Sequence, residues 1–368
     1  MKRVMIVMGT RPEAIKLCPP VRELKKRGRY EVLVCSTGQH RAMLESALAA
    51  FSVTPDFKLD VMRSGQTLSD ATAAILQDCG RLFAEKRPDM VLVQGDTTTA
   101  FAAGLAAFHQ GIPVGHVEAG LRTYHIRSPF PEELHRQAIS LFADYHFAPT
   151  VAAKRNLVRE GKPEARIFIT GNTVVDALRF SLTEAGMTPQ WRLPPNTRLL
   201  LFTAHRRESW GEPLRGMLRA LRRLVEEFPD VIAVFPVHPN PAVREAADEI
   251  LRGAERIRMI EPPDVVSFHH LLAHCDLVMT DSGGIQEEAV ALGIPTVVMR
   301  YSSERGEGMR MGVLRLAGQG EEGIIALTER LLAPNSEEYL AMKKPSAVYG
   351  DGNASARISD ALEKILGF

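Results

Sequence analysis

The chain's acidic residues are its most informative feature. Asp96, Glu118 and the pair Glu132 and Glu133 follow apolar runs or flank the Pro129-Phe130-Pro131 segment, with Arg122 and Arg136 close by in sequence. Carboxylates gathered in a closed cleft are what proton abstraction from carbon requires, because desolvation raises the basicity of one while its neighbours keep another in the acid form. Taken singly, each reads equally as a helix cap or a solvated ion-pair partner. A second group of residues suits an anion. Residues 281–288 (DSGGIQEE) follow an apolar run and open a helical stretch. Gly283 and Gly284 admit close backbone approach, and the free N–H groups and dipole of a helix start favour phosphate. Ser282 offers a hydroxyl and Glu288 an acceptor for ribose hydroxyls, while an ordinary N-cap by Asp281 or Ser282 is the competing reading. Residues 9–16 (GTRPEAIK) repeat the layout, with Pro12 near the helix start and Arg11 at its entrance. A guanidinium there either clamps a diphosphate or stays solvated.

The histidines divide. His205, in the HRRES run at 205–209, is placed to present an imidazole to a leaving phosphate, with a satisfied core histidine as the alternative. His270 and His274 stand four apart with His269 adjacent, a metal-ligand spacing. No carboxylate completes an H-E-x-x-H motif, so the bland reading of these three is preferred.

The elements that must hold these groups are short runs rich in Val, Ile and Leu. They fall at 4–8, 32–35, 90–93, 114–117, 145–148 and 167–170, and again at 199–203, 232–236, 257–260, 277–280 and 296–299. Each precedes a small or polar turn and a helix-like stretch, the habit of buried parallel strands in βα units. The motifs occupy the carboxyl ends of these strands, where open sheets bind ligands. The expected fold is therefore α/β, with two Rossmann-like, doubly wound parallel-sheet domains facing a cleft. Their expected bounds are 1–170 and 171–353. The strand-poor segment 184–197, with Pro189, Pro194 and Pro195, lies near the end of the passage between them.

A length of 368 residues allows two such domains. The 45 Lys and Arg against 44 Asp and Glu give a net charge of +1, which speaks against a non-specific nucleic-acid or membrane-surface binder. Cys18, Cys35, Cys79 and Cys275 form no C-x-x-C pair and fit a reducing cytoplasm. No apolar stretch approaches the ~20 residues of a membrane-spanning helix.

In colinear order, GTRPEAIK (9–16), QHR (39–41), GDTTT (95–99), GHVEAGLRT (115–123), SPFPEE (128–133), TGNTVVD (170–176), HRRES (205–209), PVH (236–238), TDSGGIQEE (280–288) and YGDG (349–352) closely resemble the motifs of the bacterial non-hydrolysing UDP-N-acetylglucosamine 2-epimerases. Hydrolysing relatives resemble a different, GSRAEY-like opening. The resemblance implies a glycosyltransferase-B-like fold whose last helix, roughly 354–368, packs back on the N-terminal domain. It implies interconversion of UDP-GlcNAc and UDP-ManNAc, with no metal or nicotinamide, through elimination of UDP to a 2-acetamidoglucal and its re-addition. The product would supply ManNAc for cell-surface polysaccharides. Carried over by motif, Asp96, Glu118 and Glu132 transfer protons at C2, with Glu133 as a structural alternate, and His205 assists UDP departure. Arg11, Ser282, Gly283 and Gly284 bind phosphates, Arg136 lies near the sugar or phosphate, and Arg305 belongs to the UDP set. Glu288 holds the ribose and Phe268 packs on uracil. Lys16 either supports the carboxylates or makes a helix salt bridge.

The chain departs from the family pattern at His135 (usually Asn), at Gly306 within Arg305-Gly306-Glu307 (commonly Arg-Pro-Glu) and at Val265 (often Tyr). A second, activating UDP-GlcNAc site in many members uses Gln39, His40, Arg206 and His238, all present here. Two further positions of that site, often Gln and Arg, are Ala42 and Gly65, so weaker binding there is expected. A homodimer is the family expectation. The rivals are a UDP-sugar glycosyltransferase of the same fold, a hydrolysing epimerase and a non-catalytic UDP-sugar sensor.

Overall fold

Most of the apolar runs become strands covered on both faces, the condition of parallel sheets layered between helices, whereas at the sheet edges Met259 and Ile169 stay exposed. The computed structural model describes residues 1–38, 41–61, 63, 65–183, 194–204, 206 and 209–367, with side chains in the second helix from residue 43 onward. Strands and helices alternate as far as α13. In the first half the strands are β1 (Lys2–Met8), β2 (Tyr30–Ser36), β3 (Phe57–Lys58), β4 (Met90–Gln94), β5 (Val114–Val117), β6 (Tyr145–Ala148) and β7 (Ile167–Ile169). The helix after each carries its number: α1 (Arg11–Arg27), α2 (Arg41–Ala50), α3 (Leu68–Lys86), α4 (Thr98–His109), α5 (Glu132–Phe142), α6 (Val151–Arg159) and α7 (Thr173–Thr183). The second half repeats the scheme with β8 (Arg198–Thr203), α8 (Glu212–Glu227), β9 (Val231–Pro236), α9 (Pro241–Leu251), β10 (Ile257–Ile260), α10 (Val265–Ala273), β11 (Leu277–Thr280), α11 (Gly283–Leu292), β12 (Thr296–Val298), α12 (Gly306–Arg310), β13 (Leu314–Leu316) and α13 (Glu321–Leu332). Helices α14 (Glu337–Met342) and α15 (Ala354–Leu366) close the chain.

The first sheet runs β3-β2-β1-β4-β5-β6-β7 and the second β10-β9-β8-β11-β12-β13, with every pairing parallel. Both orders reverse direction beside their first strand, so each sheet has a switch point, β1/β4 and β8/β11, where the loops diverge. The doubly wound α/β class read from the sequence is the class observed. Strands β3 and β13 add edges that the apolar runs did not announce. β3 has only Phe57 and Lys58, and β13 reads Leu-Arg-Leu, so neither forms an apolar run.

The chain divides into two units, Met1–Phe180 with Tyr349–Phe368, and Ser181–Val348. The first crossing between them falls inside α7. On the return, Asn172 N–H donates to Tyr349 O at 2.6 Å, and the backbones cross so closely that a Cβ on Gly171 would lie 3.0 Å from Gly350 Cα. Gly171 also has φ +87°, where side chains are disfavoured. Asp176 of α7 accepts the Ala354 and Ser355 N–H groups at 3.1 and 2.7 Å, capping α15 from another helix. Arg27 at the end of α1 then grips α15 through Asp360 at 2.6 Å, Glu363 at 3.1 Å and the Ala356 carbonyl at 3.1 Å.

Candidate active site

At the first switch point the turns after β1, β4 and β5 converge. Thr10 caps α1 in a capping box with Glu13, whose carboxylate accepts the Thr10 N–H at 2.8 Å. The same carboxylate accepts Gly9 N–H at 3.1 Å and the Thr10 and Thr97 hydroxyls at 2.8 Å each. Thr97 is the N-cap of α4 and directly follows Asp96. Glu13 therefore braces the start of α1, which carries Arg11, against the start of α4. It is fully buried, and burial penalises its anion more than the four donors favour it, so its carboxyl is pushed up from 4.5 to about 7. A Cβ on Gly9 would collide with the Thr37 and Thr99 hydroxyls. The sequence reading passed over Glu13 as a site residue, although T-x-x-E at 10–13 is the capping-box signature.

Glu118, just after β5, has φ 63°, a left-handed conformation uncommon outside glycine. Its buried carboxylate accepts Lys16 Nζ at 2.7 Å on each oxygen, Asn172 Nδ2 at 3.0 Å, and Gln94 Nε2. Lys16 thus pairs with a strand-end carboxylate 102 positions away rather than with a helix neighbour. Gln94 and Asn172 are the partners that sequence reasoning missed. Gln94 ends β4, and Asn172 follows the Gly171 crossing, so neither is local to Glu118.

Asp96 follows Gly95 in the turn after β4, and its carboxylate takes Arg136 Nε at 2.7 Å. Two histidines hold this turn by its carbonyls: His135 Nδ1 donates to Asp96 O at 2.8 Å and His116 Nε2 to Gly95 O at 2.7 Å. The ring of His135 stacks on Phe101 at 5.0 Å. Burial depresses the basicity of both imidazoles, that of His116 to about 4. Glu132 opens α5 and is half-buried. Its neighbour Glu133 is fully buried and accepts Thr123 N–H and Tyr124 N–H at 3.0 Å each, Gln137 Nε2 at 2.9 Å and Arg136 Nη1 at 3.1 Å. It fixes the loop before α5. Arg122 points its charge elsewhere, onto Glu160 at 2.8 and 2.9 Å and the Ser140 hydroxyl at 2.6 Å.

In the second unit, Ser282 stands at the N-cap of α11 without spending its hydroxyl on a capping bond. Gly283 and Gly284 form the first helical turn. Open space surrounds Gly284, whereas a Cβ on Gly283 would strike the Arg305 guanidinium. Arg305 is anchored by Glu287 at 2.9 Å and by Glu304, which also takes Arg300 at 2.9 Å and lies 3.5 Å from Arg206. Arg206, Arg300 and Arg305 thus gather near the start of α11, whose free N–H groups suit a phosphate. Asp281 accepts Arg206 N–H at 3.0 Å.

Glu288, one turn into α11, is buried, and its Oε2 has no hydrogen-bond partner among the described residues. Its Oε1 lies 3.4 Å from His269 Nε2, and His269 Nδ1 lies 2.8 Å from Ser181 Oγ. Phe268 is half-buried beside His269 on α10. His274 contacts the His270 carbonyl at 2.7 Å, a helix-end contact rather than a ligand pair. Among the described residues, no three His, Cys, Asp or Glu side chains are grouped to hold a metal ion, and no helix is long and apolar enough to cross a membrane. His238 follows β9 and its Nδ1 accepts Asn240 N–H at 3.2 Å. His205, Gln39, His40, the side chain of Ala42 and residues 184–193 of the expected passage lie outside the described residues.

The chain is similar to known proteins along most of its length. A family model described as UDP-N-acetylglucosamine 2-epimerase matches residues 22–363. The UDP-N-acetylglucosamine 2-epimerase of Bacillus subtilis (strain 168) is 49% identical over 98% of this chain and 94% of its own. Among solved structures, UDP-GlcNAc 2-epimerase from Neisseria meningitidis bound to UDP-GlcNAc has a TM-score of 0.94 at 41% identity, covering 98% of this chain and 100% of that one. S. aureus MnaA, solved with UDP, has a TM-score of 0.93 at 42% identity, covering 100% and 97%.

Proposed function

This chain belongs to the UDP-N-acetylglucosamine 2-epimerase family, and we propose that it interconverts UDP-GlcNAc and UDP-ManNAc by inverting C2. The observation that carries the reading is the first switch point, where Asp96 and Glu118 hang from adjacent strand ends, each matched to a buried cation. As the C1–O bond to UDP breaks, positive character at C1 acidifies the C2 proton. A carboxylate removes that proton, leaving a 2-acetamidoglucal and free UDP. Protonation of C2 on the opposite face and attack of UDP on C1 give the epimer, so atoms and charge balance over the cycle. Asp96, Glu118 and Glu132 share the two proton transfers. The departing diphosphate needs cations and N–H donors that strengthen their hold as its charge develops. Arg11, Arg305, Ser282 and the Gly283-Gly284 turn fill that role, with His205 assisting departure and return. Glu288 takes the ribose and Phe268 the uracil.

The acid–base chemistry is assigned to the N-terminal domain, residues 1–170 with the closing helix, and the nucleotide to residues 171–353. We place the protein in the cytoplasm, where its four free cysteines stay reduced, and expect a homodimer. Gln39, His40, Arg206 and His238, which the resemblance assigns to a second UDP-GlcNAc site, are present, and Ala42 and Gly65 in place of Gln and Arg are expected to weaken binding there.

Incubation with UDP-GlcNAc in heavy water, followed by NMR, tests the reaction. Deuterium at C2 of both epimers is expected. Free ManNAc with UDP would indicate hydrolysis instead, and sugar transfer to an added acceptor without C2 exchange would indicate a glycosyltransferase. Glu118→Gln should abolish exchange and keep UDP binding; wild-type turnover in that variant refutes its role.

A further inference from the structure

A buried carboxylate oxygen with no partner calls for an explanation, because leaving such an acceptor unsatisfied is costly. Glu288 Oε2 is one, in a side chain retaining 7% exposure. Its other oxygen is not free to turn away. The His269 ring is enclosed, and its two nitrogens bridge the Ser181 hydroxyl on α7 and Glu288 Oε1 on α11. One arrangement satisfies every atom of the bridge: Ser181 O–H donates to Nδ1, which fixes the proton on Nε2, which donates to Glu288 Oε1. The carboxylate is then presented with Oε2 as its one unused acceptor, suited to a hydroxyl donor.

We propose that His269 is a positioning residue for ribose recognition, holding the Glu288 carboxylate so that Oε2 accepts from the ribose hydroxyls of the nucleotide, with Ser181 setting the imidazole tautomer. This rests on the reading of Glu288 as the ribose ligand. It gives α10 a polar duty between the aromatic Phe268 and the helix end at His274, and accounts for a buried histidine that the carbon-acid chemistry does not use. Sequence spacing alone had grouped His269 with His270 and His274.

Calorimetric titration with UDP and with 2′,3′-dideoxy-UDP tests both layers. The wild type should prefer UDP by roughly tenfold, the worth of one good charge-assisted hydrogen bond. In His269→Leu that preference should collapse toward unity through weaker UDP binding, while dideoxy-UDP binding stays unchanged. His269→Gln, which can return an N–H near the place of Nε2, should restore most of it. Ser181→Ala, which keeps the ring, should fall between and serves if His269→Leu does not fold. A wild type that binds both nucleotides equally refutes the ribose assignment and the proposal built on it. A wild-type preference that survives in both His269→Leu and Ser181→Ala, or an equal loss for both nucleotides, refutes the positioning role alone.

Discussion

Glu13→Gln should change how the first unit's stability depends on pH, by an amount the structure fixes. Glu13 is fully buried, and its carboxyl is moved from 4.5 to about 7, with burial as the leading cause. At 1.36 kcal/mol for each pH unit, its ionised form is disfavoured by about 3 kcal/mol relative to the unfolded chain. The sign follows from proton counts. Between pH 4.5 and 7 the native state holds the proton and the unfolded state does not, so this contribution is full below 4.5 and lost as pH rises through about 7. Glutamine mimics the protonated acid, its oxygen accepting on the Gly9 and Thr10 side and its amide donating to the Thr97 hydroxyl. Amide hydrogen exchange in β1, corrected for intrinsic rates, reads the opening free energy at pH 5, 6, 7 and 8. The variant minus wild-type difference should climb by about 2.5 kcal/mol across that range, in favour of glutamine at the alkaline end. A difference that is flat with pH refutes the buried-acid account of the brace.

His146 gives the opposite drift. Burial, aided by the nearby His116, lowers its basicity from 6.5 to about 3, so its contribution is full above 6.5 and lost as pH falls. His146→Phe should flatten the acid side of the same exchange profile by up to about 1.4 kcal/mol per pH unit, and parallel profiles refute this. Lys16→Met strips the ammonium from Glu118 and should cost about 3 kcal/mol of stability along with most C2 exchange, while UDP binding persists; an unchanged exchange rate by NMR refutes the pairing's importance. With Ala42 and Gly65 in the second site, velocity against UDP-ManNAc is expected to be hyperbolic. A sigmoidal curve abolished by a little UDP-GlcNAc contradicts that expectation.

The doubly wound pattern was legible because strands such as β1 and β8 are covered on both faces and read as unbroken apolar runs. The edge strands β3 and β13 were not, since pairing with a neighbour, rather than any run of their own, makes them strands. The carboxylates could be picked out by type and by their place after strands. Of the partners of Glu118, Lys16 entered only through the motif resemblance, and Gln94 and Asn172 not at all, because they reach it through the sheet order and the Gly171 crossing. Glu133 looked interchangeable with Glu132, yet the Thr123 and Tyr124 amides of the preceding loop, with Arg136 and Gln137 of its own helix, consume Glu133. Arg122 looked available to the carboxylates until Glu160, 38 positions on, claimed it. His269 hid behind a spacing that suggested metal, because Ser181 and Glu288 come from other helices.

The clasp between α1 and α15 fixes an order of events during synthesis. Asp360 emerges from the ribosome 333 positions after the Arg27 it binds. At typical elongation rates of about 5–20 residues per second, the α15-facing side of α1 waits roughly 17–70 s for its cover. The whole of Ser181–Val348 is translated within that interval. The unit begun first is therefore finished last, and the nascent chain carries an unfinished α1 that a chaperone, or a competing apolar segment, has time to find.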